Sequence, residues 1–157
     1  MRFSHRVLPV VALVALTSCA PKAPPPVADS AAPASDSPIA WAFDAPNAWD
    51  DRVTLDDRVP GSGTYRSARL FTYAPRDTSI VPQALLGIFV YDSLAWAAMT
   101  KQGGPPLGDS LTSVAGQVFI ASLPQSNPFR AGSADSRAFD SLLVDLASVR
   151  KGFRVPQ

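Results

Sequence analysis

Apolar and polar positions fall along this chain in segments that each select one kind of element. Residues 7–16 are apolar throughout, broken only by Pro9. That run falls well short of the roughly 20 residues a bilayer-spanning helix needs. Residues 20–38 hold Val27 as their one sizeable apolar side chain. From Ile39 onward the pattern becomes periodic. Residues 40–44 set Trp41 and Phe43 on one face at period two, which predicts a short strand. Pro46, Asn47 and Ala48 then turn the chain to deliver Trp49. Residues 51–59 alternate, predicting a half-solvated strand with Val53, Leu55 and Val59 inward and Arg52, Thr54, Asp56 and Arg58 outward. Pro60, Gly61, Ser62 and Gly63 make a turn or loop. Residues 67–74 predict a strand with Phe71 and Tyr73 on one face and Leu70 on the other, ended by Pro75. Residues 84–91 are apolar on both faces, the signature of a central strand covered on each side.

Helical spacing comes next. Asp92 or Ser93 can cap a short helix over 94–101, stopped by Gly103, Gly104, Pro105 and Pro106. Residues 110–114 and 117–123 flank Ala115-Gly116 as a hairpin. Residues 124–133 read as an irregular loop. Phe139, Leu142, Leu143, Leu146 and Val149 then recur at helical intervals, predicting one long terminal helix opened by Ser133 or Asp135. Leu143 belongs to its inward face. Arg150 and Lys151 suit the C-terminal dipole, and Gly152 suits the position after the helix. Phe153 and Val155 are placed to tuck back onto the sheet edge. This order of elements predicts an α+β fold, an antiparallel sheet with helices packed against it.

Composition divides the chain. All three Trp and all three Tyr lie in residues 39–157, a stretch of about 120 residues that suits one domain. Residues 19–38, rich in Pro, Ala and Ser, cannot bury enough surface to offset the entropy of ordering. They read as a tether reaching roughly 25 Å as a coil and about 60 Å when extended. The formal charge is +1, and losing Arg2 and Arg6 would leave the acids slightly in excess. Nothing in that balance points to nucleic acid or to an anionic membrane surface as partner.

Residues 1–18 have the three parts of a secretory leader: Arg2 and Arg6, the apolar run, then small Thr17 and Ser18 before Cys19. Leu16-Thr17-Ser18-Cys19 resembles a bacterial lipobox. The resemblance implies cleavage before Cys19, acyl chains on its sulfur and a lipoprotein anchored to a membrane outside the cytoplasm. Two or three chains hold stably where one does not. Ala20, rather than Asp, after the cysteine favours the outer membrane, facing the periplasm, in a two-membrane cell. An envelope protein is the partner such an anchor suggests.

The segment Trp41 to Trp49, WAFDAPNAW, is similar to the opening of the Mog1/PsbP-like fold, with an aromatic pair, a proline and a following tryptophan. The likeness continues as order and spacing through the closing helix and the aromatic strand Phe153-Arg154-Val155. It implies an α/β/α sandwich and a non-catalytic role as an assembly or binding module.

The residue inventory narrows the chemistry. The only histidine, His5, lies in the leader, the only cysteine is Cys19, and the chain has no Glu. Residues 39–157 therefore offer no Ser-His-Asp triad, no Cys-His pair and no His/Cys zinc or copper site. No phosphate-loop or dinucleotide motif is present, and no cofactor is expected. What remains is Asp, Lys, Tyr and hydroxyls. Asp50/Asp51 and Asp56/Asp57 are adjacent pairs, but neighbours on a strand point to opposite faces. Lys101 and Lys151 read as helix-end charges. The loop 124–133 is the best contact surface, with Asn127, Phe129 and Arg130 as candidate binding residues. Trp41, Phe43, Trp49, Trp96 and Phe139 are expected in the core. The sequence thus favours an anchored, non-enzymatic binding or assembly module. A hydrolase built on Asp and hydroxyl groups, or a periplasmic carrier of a small ligand, are the alternatives.

Overall fold

The apolar run after Pro82 forms the strand on which the rest of the fold is arranged. A computed structural model describes residues 39–58, 65–103 and 108–156. In it this strand, β4 (Gln83–Asp92), is the middle of a five-stranded antiparallel sheet. The other strands are β2 (Val53–Arg58), β3 (Ser67–Tyr73), β5 (Asp109–Val114) and β6 (Gln117–Ser122), in the order β2-β3-β4-β6-β5. Register shifts between Phe71 and Thr72, where Leu86 faces Phe71 and Ala84 faces Thr72. Leu85 is the extra residue of that bulge, so Leu85 and Leu86 both enter one core despite being neighbours.

Helices lie against both faces. On one, α2 (Ala134–Leu142) and α3 (Leu146–Gly152) bury Phe139, Leu142 and Val149 against Phe71, Tyr73, Leu85 and Ile88. On the other, Trp96 and Met99 of α1 (Ser93–Lys101) pack on Tyr91, Val118 and Ile120. The α1 start is as the sequence predicts. The Asp92 carboxylate accepts the backbone N–H groups of Leu94 and Ala95, and those bonds hold it below the usual carboxylate range.

Four expectations are corrected. The first strand, β1 (Ala42–Phe43), does not join the large sheet; it pairs with β7 (Phe153–Arg154) in a separate two-stranded ribbon. Phe153 therefore pairs with Phe43 and covers Phe119, while it and Val155 lie beside edge strand β5, as the sequence predicts. Gly152 is no left-handed cap but the last residue of α3. A Cβ there would meet the Asp44 carbonyl oxygen and the Phe43 ring at 3.0 Å, so the close approach of β1 favours glycine. Leu55 is 54% exposed, because β2 is an edge strand and the helices do not extend over it.

The fourth correction concerns the terminal helix, which is two helices. Leu143 is extended, with ψ of 142°, and Asp145 caps α3 by accepting the Ser148 N–H. The carbonyl of Leu142 is taken at 2.9 Å by the indole N–H of Trp49. In a continuous helix that oxygen would accept from Leu146. A tertiary donor and a local cap together interrupt a run whose apolar spacing reads as unbroken. Leu143 consequently points outward, 42% exposed. Ser133, not Asp135, caps α2, accepting from the Ser136 N–H.

The β5–β6 hairpin turns as expected through Ala115 and Gly116, with φ of 44° and 77°. Two positive φ values match the twist of the strands, but an alanine there costs about 1–2 kcal/mol. The carbonyl of Gly116 is held by both the N–H and the Oγ of Ser93. Ala115→Asn should therefore stabilise the protein by about 0.5–1 kcal/mol, read as a raised urea midpoint; a lowered midpoint would mean the turn is set by something other than its φ angles.

Candidate functional site

Of the three loop residues the sequence singles out, two face inward. The Asn127 side-chain amide donates to the Ser136 carbonyl at 2.9 Å, the Ser136 Oγ at 3.0 Å and the Asp140 carboxylate at 2.8 Å. Its carbonyl oxygen accepts the Phe129 N–H. Asn127 thus staples the loop to α2. Phe129 is buried, with its ring 5.5 Å from Tyr73 and 5.4 Å from Phe139. Only Arg130 presents its side chain to solvent. Loop 124–133 is held as a packed connection into α2. Cys19, His5 and the turn at 60–63 lie outside the described residues.

Beneath that loop is a buried polar group the sequence reading missed. The Tyr73 hydroxyl, on a fully buried side chain, donates to the Asp135 carboxylate at 2.6 Å. The same carboxylate oxygen accepts the Arg76 N–H at 2.9 Å. Arg52 reaches the Tyr73 oxygen at 3.4 Å and lies over its ring. Burial, then the bond to Asp135, pushes the Tyr73 phenol up; the Arg76 N–H, then the Tyr73 hydroxyl, hold Asp135 below its ordinary value. The arrangement ties the end of β3 to the start of α2. Asp135 should therefore add stability above the unfolded Asp value of about 3.9. That stability is lost as pH falls through its lower folded value. Asp77, Asp92 and Asp145 are shifted in the same direction by their own hydrogen bonds. Asp135→Asn should lower the urea midpoint at pH 7 and flatten its fall below about pH 4. An acid limb identical to that of the parent would remove Asp135 from this account.

The remaining acids are spread out. Asp57 pairs with Arg69 at 2.5 Å and Asp56 with Arg58 at 2.7 Å. Asp44 pairs with Arg154 across the β1–β7 ribbon. The two-face expectation for Asp56 and Asp57 holds: the Arg69 that binds Asp57 lies 4.5 Å over the Trp41 ring, whereas Asp56 sits on the opposite face of β2. Among the described residues no three metal-ligating side chains come together. Lys101 and Lys151 sit in the last turns of α1 and α3.

Two clefts lined by described residues bear on function. One of about 330 Å³ is lined by Asp50, Asp51, Arg52, Thr54 and Arg76. Both acids are exposed, and no hydrogen bond fixes either carboxylate among the described residues. The other, of about 440 Å³, runs beside edge strand β5. Leu111 and Val114 form one wall and Phe153, Val155 and Pro156 the other. Among the described residues Arg150 is the only charged one lining it, and its guanidinium donates to the Ser110 carbonyl at 3.2 Å. No sequence motif marks this groove, because it forms only when the C-terminal segment is folded beside β5.

Among known proteins, no family model matches the chain, and no curated protein and no solved structure matches it. The fold is α+β, with a five-stranded antiparallel sheet and three α-helices among the described residues.

Proposed function

We propose that the chain is a lipid-anchored, non-enzymatic binding or assembly module of the bacterial envelope, held through Cys19 and tethered by residues 20–38. Its folded part is read as a Mog1/PsbP-like α/β/α sandwich. Helices on both sheet faces and the aromatic β7 are in keeping with that layout. Trp49, from the opening motif, anchors the helix pair through its indole N–H.

The observation that carries the reading is the groove beside β5. Its lining is mostly aliphatic and aromatic side chains, with Thr112 and Arg150 among them; it borders the outer edge of β5, and no described residue brings a carboxylate to it. A photoreactive residue placed at Val114, which is 38% exposed, tests it in the membranes of the source cell. A discrete protein adduct is expected at Val114 and not at exposed Arg137. No adduct at either position would remove the binding-module reading.

A second reading has one observation behind it. Asp50 and Asp51 line one cleft with Thr54 and two arginines, which is where an Asp-based hydrolase would have to work. Two carboxylates across a bond need to be held about 5–9 Å apart, and here neither is held. Any hydrolysis of envelope substrates that survives Asp50→Asn combined with Asp51→Asn would exclude this cleft.

A further inference from the structure

The two edges of the large sheet are guarded differently. At β2 three of six residues are charged, and Asp56 and Asp57 stand in ion pairs. Such charges oppose pairing with another chain. Along β5 no charge follows Asp109: the strand continues Ser110, Leu111, Thr112, Ser113, Val114. Among the described residues it is guarded by the register shift between Ser110 and Thr112 and by the Arg150 guanidinium on the Ser110 carbonyl. Beyond that shift the strand is regular, with Thr112 facing Phe119 and Ser113 facing Val118.

Hydrogen-bond geometry fixes which groups point outward. Val114 and Gln117 close the two-residue turn, so the N–H and C=O of Val114 face β6. Those of Ser113 therefore face away from the sheet. The Ser110 carbonyl also faces away, since the Arg150 side chain reaches it. A strand laid here would find the Ser113 N–H and C=O at one end and, at the other, the Ser110 carbonyl, which Arg150 engages and would have to share. Its alternate side chains would drop into the groove between Leu111, Val114, Phe153 and Val155.

We propose that the outer edge of β5 takes up an extended segment of a partner protein as a sixth, antiparallel strand. This rests on the binding-module reading and names its site and partner chemistry. The segment carries aliphatic side chains at alternate positions, for the groove, and an acidic residue near its C-terminal end, for Arg150. Antiparallel addition puts that end beside Ser110, where Arg150 lies. A second copy paired through the same strand would bring Ser113 and Val114 to Arg150 and no acid, so charge complementarity selects a partner over self-association.

The test uses the full chain in a mild detergent and an acetylated peptide of alternating valine and threonine that ends in aspartate. Titration should shift the amide resonances of Ser110 to Val114. N-methylating the alternate peptide nitrogens that face β5 should weaken binding at least about tenfold, while methylating the other set should not. Ser113→Pro, which removes an outward N–H at an edge position that tolerates proline, should weaken it similarly without lowering the melting temperature. Where that variant misfolds, the methylated peptides decide. Equal binding of both methylated sets, or shifts elsewhere only, would overturn strand addition. An adduct at Val114 would still leave the binding-module reading standing. A concentration-dependent dimer through β5 without peptide would overturn the partner in favour of a second copy.

Discussion

Phe139→Ala should lower the unfolding free energy by about 3–5 kcal/mol, whereas Leu143→Ala should cost under about 1 kcal/mol. Both residues belong to one apolar periodicity, and sequence alone gives them equal weight. Phe139 is fully buried, 6.0 Å from the Tyr73 ring and 5.4 Å from Phe129. Its removal leaves a cavity where sheet, loop 124–133 and α2 meet. Leu143 sits in the extended break between α2 and α3, where truncation empties nothing. A domain of this size has only about 5–15 kcal/mol in hand, so the Phe139 variant should show a clearly lower urea midpoint. Equal losses for the two variants would mean that the run is one docked helix after all.

Cys19→Ala carries the second large effect, on location rather than stability. The lipobox reading assigns the anchor to acyl chains on this sulfur, with each buried methylene worth about 0.8 kcal/mol. No described helix is long and apolar enough to cross a membrane. Without acylation the domain should leave the membrane fraction, and metabolic labelling with a fatty acid should fall to background. A variant found in membranes at the parent level with unchanged label would overturn the anchor.

Much of the fold is legible in local pattern. The doubly apolar run at 84–91 is the middle strand, Asp92 caps α1, and Ala115-Gly116 turns the hairpin. Those features depend on residues close together in sequence. The misread ones depend on distant partners. Nothing near Leu142 announces that its carbonyl will be claimed by Trp49, and Asp145 as a cap is masked by the leucines around it. The exposure of Leu55 follows from an edge position that alternation cannot reveal. The candidate site was the least legible part. A polar loop with an aromatic and an arginine looks like a contact surface, yet Asn127 and Phe129 serve to fasten it. The groove beside β5 is assembled from residues of two separated segments; the return of Phe153 and Val155 to the sheet edge is legible, but no motif shows that a cleft forms there. Tyr73 shares a face with Phe71, as the alternation predicts, but its partner Asp135 reads as a helix cap.

Amide hydrogen exchange at β5 tests the central claim most directly. The full chain in its own membranes should be compared with the purified chain under the same conditions. The Ser113 N–H, which faces outward, should exchange at least about tenfold more slowly in the membranes, where a partner strand occupies the edge. The amide of Val81, a residue 71% exposed, serves as the reference and should not change. A Ser113 amide that exchanges equally fast in both preparations would contradict a module that works through this edge.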